Sequence, residues 1–415
     1  MLEGILGTYG YLFIGVVVSL SSTAIIGVFS ALQKKELAGD AIAHATLPGV
    51  ALSFIITGLK APLYLTIGSF LSGMGALLLI DYLPGRTNLK KDSVMALIIA
   101  MFFGVGLLLL SYIQHHPTGS APAGLSHWLL GDVPSLVDED IKAFFLLAVG
   151  IGSTLFCCYH QWMLYCFDPA FAQSIGLPVK RLQWLFQSLT VLAIILGIQT
   201  VGIILITAVL VTPVTAARFW SDRLGYILGI TAFLASLAGC LGMVASYYFA
   251  DVPTGPVIVL IMTLLSLASF LFAPKKGLLA KKWRLYQYQQ KVLEENILKL
   301  FYQVLQKEGC GYDTPQPLSR LLEQRALSSS QLLHGLNRLK KKRLVTKKGS
   351  DLFQLTLAGK EKGEKILRLH ELWEAYLRTH LHIQPSHVHD DAESIEHLIT
   401  PAIEKDLNAS LAKVK

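Results

Sequence analysis

Long apolar runs separated by short loops constrain this 415-residue chain more than any other feature. Nine such runs fill the first two thirds of the sequence, at residues 11–32, 40–59, 62–83, 93–113, 141–160, 185–198, 201–217, 226–248 and 256–273. Most of them reach the ~20 residues that an α-helix needs to cross a bilayer. The pattern predicts a mainly α-helical membrane domain of about eight or nine spans, because runs 185–198 and 201–217 form either two helices or one interrupted helix.

Charged residues are distributed unevenly along the chain. Residues 1–273 contain 11 Lys or Arg and 12 Asp or Glu, whereas residues 274–415 contain 25 and 16. A single water-soluble enzyme is excluded, because soluble globular proteins carry charged residues throughout. We predict four segments, which are a transmembrane domain at 1–273, a basic linker at 274–291, a winged helix-turn-helix domain at 292–358 and metal-binding or dimerisation helices at 359–415.

The basic residues of the short loops predict the orientation in the membrane. With nine crossings they fall almost entirely on one side, namely Lys34, Lys35, Arg86, Lys90, Lys91, Lys180, Arg181, Arg218, Arg223, Lys275 and Lys276. Positively charged short loops stay in the cytoplasm. We therefore expect a polytopic protein of the cell (inner) membrane with its C-terminal domain in the cytoplasm.

Asp40 and His44 are ionisable residues within an apolar run. Their i, i+4 spacing places them on one face of a helix, with His44 near mid-depth. Ionisable residues in such positions mark ion or substrate paths, and a carboxylate with an imidazole can ligate a divalent transition ion. The alternative is a helix cap at Asp40 and a hydrogen-bonded bundle histidine at His44.

Five sequence blocks in the apolar part carry a family resemblance. They are AGDAIAHATLPG at 38–49, KDS at 91–93, FDPAFA at 167–172 with Gly176, TPVTAAR at 212–218 and PTGP at 253–256. In this order the blocks resemble the membrane permease subunits of ABC transporters that import manganese, zinc or iron, over residues 11–273. The resemblance implies that Asp40 and His44 line the metal path.

The resemblance also implies partners. The polar loop 168–181 is similar to the short helix by which such permeases dock on their ATPase, which assigns docking to Asp168, Pro169, Ala172 and Gly176; an ordinary solvated loop is the alternative. The chain has no G-x-x-x-x-G-K-[ST] phosphate loop, so we expect that it binds no nucleotide, is not an enzyme and relies on a separate ATP-binding subunit. An extracytoplasmic metal-binding protein and a homodimer or paired permease are implied as well.

The polar part of the chain begins with the pattern of a winged helix-turn-helix. Residues 317–325 predict a short helix, residues 329–342 an amphipathic helix after a serine cap, and residues 344–355 a small β-hairpin. This fold lays its second helix in the major groove of DNA. We expect DNA contacts from Ser329, Ser330, Gln331, His334, Asn337, Arg338, Lys340 and Lys341. The alternative is a solvated basic face used for protein contacts.

A cluster of histidines and carboxylates follows the hairpin. His370 and Glu374 are spaced i, i+4, and further candidates follow at His389, Glu393, Glu396 and His397. Nitrogen and oxygen donors without a thiolate suit Mn²⁺ or Fe²⁺. The alternative is a solvated polar face with scattered histidines.

Residues 294–411 resemble metal-dependent repressors of the diphtheria-toxin-repressor class. The resemblance implies that these six residues are ligands, and Glu393, where iron-sensing members carry Cys, is similar to the manganese-sensing branch. The ligand expected from the first helix falls near Asn296, a weaker ligand than Asp. The chain ends soon after the metal helix, so we expect a shortened dimerisation surface.

Together these patterns predict a permease fused to a metal-responsive transcriptional repressor that binds operator DNA. In a rival hypothesis the first domain is still a permease, but the C-terminal part is a metal-sensing gate that does not bind DNA. A second rival is a membrane-bound receptor that transports nothing. We also expect the linker 274–291 to be exposed and open to proteolytic release of the regulator, with a tethered regulator as the alternative.

Overall fold

A computed structural model describes residues 2–59, 61–115, 138–249, 252–323, 328–349, 351–380 and 401–412, together with residues 129, 131 and 133. The chain divides into two compact units, Met1–Lys281 and Lys282–Lys415. Each unit is described by itself below.

Helices form the whole described part of the first unit. In chain order they are α1 (Leu2–Leu32), α2 (Glu36–Thr57), α3 (Pro62–Tyr82) with a 3-10 turn at Leu83–Gly85, α4 (Lys91–His115), α5 (Asp138–Cys157), α6 (Tyr159–Phe167), α7 (Pro169–Ser174), α8 (Val179–Val201), α9 (Ile206–Trp220), α10 (Leu224–Tyr248) and α11 (Thr254–Phe272). Within the described residues, eight helices are long and apolar enough to cross a membrane, namely α1, α2, α3, α4, α5, α8, α10 and α11. This result confirms the predicted polytopic helical fold.

The apolar run predicted at 201–217 forms a separate, short helix. Helix α9 has 15 residues and is about 22 Å long, which is less than the ~30 Å of a bilayer core. The break falls at Gly202, whose φ of 95° belongs to the left-handed region that favours glycine. Ile203 in the break is fully buried, as irregular backbone inside a membrane domain must be. The two runs thus form two helices, and eight long apolar helices with one short one agree with the predicted eight or nine spans.

Small residues hold α2 against its neighbour α3. A Cβ atom on Gly68 would lie 2.5 Å from the carbonyl oxygen of Gly49, so the two backbones touch at this crossing. One turn further along α3, the Oγ of Ser72 donates to the carbonyl oxygen of Ala45 at 2.6 Å. Membrane helices pack by such close approaches and polar contacts. Helix α2 is therefore buried along most of its length.

The second unit is a winged helix-turn-helix followed by further helices. Its elements are α12 (Leu278–Lys307, which begins in the first unit), β1 (Gln316–Pro317), α13 (Leu318–Glu323), α14 (Ser329–Lys341), β2 (Val345–Lys347), β3 (Leu352–Leu355), α15 (Leu357–His380) and α16 (Pro401–Ala412). The strands form an antiparallel sheet in the order β1-β3-β2, with Val345 opposite Leu355. The two predicted helices and the predicted hairpin are confirmed.

One hydrophobic core stabilises this unit. The apolar face of α14 supplies Leu332, Leu336 and Leu339, and α12 and the hairpin complete the core with Ile297, Leu298, Phe301, Val345, Phe353 and Leu355. Ser328 caps α14, because its hydroxyl accepts the N–H of Gln331 while the Gln331 side chain accepts the N–H of Ser328. The unit has the contacts to fold by itself.

Most of the predicted linker is helical. Helix α12 runs without interruption from Leu278 to Lys307, although its residues 281–289 are all exposed. No glycine or proline occurs between these two ends, and Leu, Ala, Lys and Gln favour helix in the first half. The expectation of an exposed segment holds, but the segment is an ordered helix.

Candidate metal sites and DNA interface

Asp40 and His44 contact each other one turn apart on α2. The Nε2 atom of His44 is 3.5 Å from the Oδ1 atom of Asp40, and the two side chains are 15% and 31% exposed. The other ring nitrogen of His44, Nδ1, is buried and has no hydrogen-bond partner. Asp40 lies inside α2, which begins at Glu36, and does not cap it. An imidazole and a carboxylate on one helix face are a donor set that suits a divalent transition ion.

Two neighbours shape this site. The His44 ring packs edge-on against the Phe103 ring of α4, with 4.8 Å between centroids. Pro48 lies one turn later in α2 and has no N–H, so the hydrogen bond that the His44 carbonyl would accept from it is absent. Over the described residues, no group of three or more His, Cys, Asp or Glu is placed to hold a metal ion. In the part of the chain that the structure describes, no third His, Cys, Asp or Glu thus joins Asp40 and His44.

Asp81 is a polar centre that the sequence analysis missed. It lies near the end of α3, and its Oδ2 atom accepts hydrogen bonds from Gln187 at 2.6 Å and from Gln183 at 3.2 Å, both on α8. The signal in the sequence was a pair of glutamines spaced i, i+4 at the start of an apolar helix. This network joins α3, the neighbour of α2, to the helix that follows the predicted docking loop.

The predicted docking loop contains a capped helix. The Oδ1 atom of Asp168 accepts the N–H of Phe171 at 2.9 Å, and Pro169 occupies the first turn of α7. Ala172 is fully buried, and Gly176 turns the chain with a φ of 85°. Phe171 and Ile175, in contrast, are more than half exposed. The loop thus presents apolar side chains on an ordered turn.

The exposed face of α14 carries nearly all of the predicted DNA contacts. Its exposed residues are Ser329, Ser330, Gln331, His334, Asn337, Lys340 and Lys341. The serines and Gln331 lie at the N-terminal end and the lysines at the C-terminal end, so polar groups and positive charges share one helix. Such a face can read base edges and neutralise phosphates.

Arg338, another of the residues predicted to contact DNA, pairs with a buried carboxylate and is 35% exposed. Its Nε atom donates to the Oε1 atom of Glu294 at 2.8 Å, and Lys342 donates to the other carboxylate oxygen. Burial opposes ionisation of Glu294, but the hydrogen bonds and charges of Lys342 and Arg338 outweigh it and lower the pKa of this carboxyl. Arg338 turns inward because a buried carboxylate on α12 requires cationic partners. Its role in the structure is to join α14 to α12.

The described part of the predicted sensor site is one His–carboxylate pair. The Nε2 atom of His370 is 3.0 Å from the Oε1 atom of Glu374, and their side chains are 5% and 18% exposed. On α12, the Oδ1 atom of Asn296, near which the resemblance expects a ligand from the first helix, is buried without a hydrogen-bond partner. These nitrogen and oxygen donors fit Mn²⁺ or Fe²⁺. The remaining predicted ligands, His389, Glu393, Glu396 and His397, lie outside the described residues.

Comparison with known protein families distinguishes the same two parts. Residues 10–273 match the ABC 3 transport family. Residues 356–415 match the family described as iron dependent repressor, metal binding and dimerisation domain. Both resemblances expected from the sequence are confirmed.

Individual relatives agree with this assignment. The chain is 35% identical over 361 residues to the manganese transport system membrane protein MntC of Bacillus subtilis (strain 168). These residues cover 86% of this chain and 81% of that protein. It is 32% identical over 275 residues to the zinc transport system membrane protein TroC of Treponema pallidum (strain Nichols), covering 66% and 90% of the two chains. The solved structure of PsaBC from Streptococcus pneumoniae in complex with Fab has a TM-score of 0.61 and 29% identity, over 68% of this chain and 98% of that one. The chain therefore belongs to the ABC 3 transport family, and it carries an iron-dependent-repressor domain at its C-terminal end.

Proposed function

We propose that the membrane unit imports a divalent transition metal ion, Mn²⁺, Fe²⁺ or Zn²⁺, and that Asp40 and His44 contact the ion on its path. The observation that carries this proposal is the contact of the His44 imidazole with the Asp40 carboxylate on one face of α2, with 3.5 Å between Nε2 and Oδ1, in a permease of this family. The relatives described as manganese and zinc transport proteins support this class of cargo. Two donors from one chain bind a passing ion without completing its coordination, so release remains easy.

A separate ATP-binding subunit powers this transport in our proposal. It docks on the turn formed by Asp168, Pro169, Ala172 and Gly176, where Phe171 and Ile175 offer exposed apolar contacts. A partner of this kind covers apolar side chains that water otherwise surrounds. An extracytoplasmic binding protein delivers the metal, and the permease works as a pair of membrane subunits.

The orientation follows from the basic loops. If the short helix α9 returns the chain across the membrane after α8, the basic loops lie on one side. These loops contain Lys34 and Lys35, the segment 86–91, and Arg218 with Arg223. Positive loops mark the cytoplasmic side. The C-terminal unit is then cytoplasmic, where it meets both the cytosolic metal pool and DNA.

We further propose that the C-terminal unit is a metal-responsive repressor. The exposed face of α14 contacts operator DNA, and His370, Glu374, His389, Glu393, Glu396 and His397 hold Mn²⁺ or Fe²⁺. A bound divalent cation would cross-link these side chains and neutralise their carboxylates. In the described part of the chain, α15 carries His370 and Glu374, and the hydrophobic core holds α14 in place.

Two measurements test the proposal against its rivals. Uptake of radioactive Mn²⁺ should fall in cells that lack the chain and return when it is supplied, whereas unchanged uptake would favour a receptor that transports nothing. The fragment 282–415, which has its own core, should retard DNA of the operon's promoter only when Mn²⁺ or Fe²⁺ is present. Metal binding without any retardation would favour the gate that does not bind DNA.

A further inference from the structure

The first three turns of α12 belong to a basic stretch of the chain that follows the last long apolar helix. Residues 252–293 contain no Asp or Glu, and six Lys or Arg fall between residues 274 and 293. Only five residues separate Phe272, the end of the last long apolar helix, from Leu278. The chain between them is hydrogen-bonded, since the N–H of Gly277 donates to the Ala273 carbonyl at 2.9 Å and the N–H of Lys281 to the Gly277 carbonyl at 2.9 Å. At most about 20 Å of chain therefore joins the two helices.

An apolar stripe of exposed side chains runs along one face of these turns. Leu279, Trp283 and Tyr286 are 48%, 67% and 52% exposed. At about 100° per residue they fall within an arc of about 60°, and the exposed Leu278 and Leu285 flank it on one side. A contiguous exposed apolar stripe of this size marks an interaction surface.

The opposite face is polar. Lys281 lies about 160° from Trp283 around the helix axis, Arg284 lies on the same half, and Lys282 borders the stripe. Apolar and aromatic side chains on one face with Lys or Arg on the other are typical of helices that lie in the membrane interface. Tryptophan and tyrosine are enriched at that level, and basic side chains there face anionic headgroups.

We propose that residues 278–286 bind the surface of an anionic lipid bilayer, with Leu279, Trp283 and Tyr286 inserted among the acyl chains and Lys281, Lys282 and Arg284 at the headgroups. Charge complementarity and the short connection to α11 identify lipid as the occupant. The same helix continues into the core of the C-terminal unit through Ile297 and Phe301. Residues 278–286 are thereby an ordered membrane contact, and not a free linker that proteases would cut. The proposal does not depend on DNA binding or on metal transport.

The test uses the full chain in nanodiscs. A single cysteine is introduced by Leu279→Cys, Trp283→Cys or Lys281→Cys after the five native cysteines are replaced by alanine, and each is labelled with a fluorophore. Lys281 is the matched control, because it lies at the same level on the opposite face. In nanodiscs with 30% phosphatidylglycerol, brominated lipid should quench the labels at 279 and 283 at least threefold more than the label at 281, and aqueous iodide should show the reverse order.

Further arms separate lipid from other occupants. Quenching of the label at 283 by brominated lipid should fall in nanodiscs that contain phosphatidylcholine alone. It should also fall when Lys281→Gln is combined with Lys282→Gln. Equal quenching at all three positions would overturn the proposal. Labels at 279 and 283 that neither quencher reaches would also overturn it and would indicate a second copy of the chain. Protection from quenching that appears only when duplex DNA is added would overturn it as well. A single symmetric peak on size-exclusion chromatography shows that the labelled chains are folded in the nanodiscs. In a second variant native Trp283 is kept, and Leu279→Glu should abolish the lipid contact.

Discussion

The membrane unit and the C-terminal unit each place a histidine and a carboxylate one helical turn apart, but the two pairs differ in order, distance and burial. On α2, Asp40 precedes His44, their closest atoms are 3.5 Å apart, and the imidazole side chain is 15% exposed. On α15, His370 precedes Glu374, the distance is 3.0 Å, and the imidazole is 5% exposed. A cargo ion must leave its ligands, whereas a sensed ion must stay long enough to change the protein.

The surroundings of the two pairs extend this contrast. His44 packs against the ring of Phe103 and keeps one nitrogen without a partner. Within 30 residues after His370, the sequence supplies His389, Glu393, Glu396 and His397 as further donors. We propose that identical i, i+4 spacing serves two purposes, and that the number of additional ligands decides which one.

The largest effect is expected at the transport pair. Asp40→Ala or His44→Ala should lower metal uptake by more than about 100-fold, because loss of an outer-shell partner alone costs 10–100-fold at metal sites. The amount of protein in the membrane should not change. Uptake of radioactive metal, with immunodetection of the membrane fraction, measures both quantities. The exposed His160→Ala serves as the control, and near-normal uptake in both pair variants would remove them from the path.

The sensor pair should show the next largest effect. Glu374→Ala in the fragment 282–415 should weaken Mn²⁺ binding at least about tenfold, or about 1.4 kcal/mol, because one oxygen donor is lost. Glu396→Ala should do the same. Titration calorimetry gives the affinities, and Glu371→Ala, an exposed carboxylate on the same helix, is the matched control. An isotherm that matches the wild type would exclude the substituted residue from the site.

Two basic residues of α14 should separate DNA contact from stability. Lys341→Ala should weaken DNA binding a few-fold and reduce the dependence of log K on log salt by about one unit, as the loss of one phosphate contact does. Arg338→Ala should instead destabilise the unit by about 1–2 kcal/mol, since Glu294 keeps only one of its two described cationic partners. Binding isotherms at several salt concentrations and urea unfolding curves distinguish the two. If Arg338→Ala weakened DNA binding and Lys341→Ala lowered stability, Arg338 would be a DNA contact after all.

The smallest effect is expected at Asp81. Asp81→Asn retains the shape of the side chain but loses the charge that strengthens its hydrogen bonds with Gln183 and Gln187, at a cost of about 1 kcal/mol. Metal uptake should fall about two- to fivefold, and Asp222→Asn, an exposed carboxylate elsewhere, should leave it unchanged. A loss as complete as that of His44→Ala would mean that Asp81 belongs to the metal path.

Local patterns predicted the helices, the wing and the two His–carboxylate pairs, because each depends on spacing within one element. The short helix α9 was less predictable, since the break at Gly202 depends on a left-handed backbone conformation. The linker was predicted from its charge, yet its helical order follows from the absence of glycine and proline between Leu278 and Lys307.

Contacts between distant residues lay beyond the sequence analysis. A helical wheel places Arg338 beside the DNA-facing residues, but Glu294 lies 44 positions earlier in the chain and pairs with it only in the folded unit. Asp81 and Gln187 are 106 positions apart. Neither pairing has a local signature, and no pattern within α3 or α14 indicates the partner.

The central claim is that one chain holds two independent metal sites, one for transport and one for regulation. The most direct test measures metal uptake by the full chain and metal-dependent DNA retardation by fragment 282–415. His44→Ala is made in the full chain, and His370→Ala is made in both. His44→Ala should abolish uptake, while the fragment, which lacks that residue, still retards promoter DNA with Mn²⁺. His370→Ala should abolish retardation and leave the initial rate of uptake unchanged. A change in that initial rate with His370→Ala would contradict independence and make the C-terminal unit a gate.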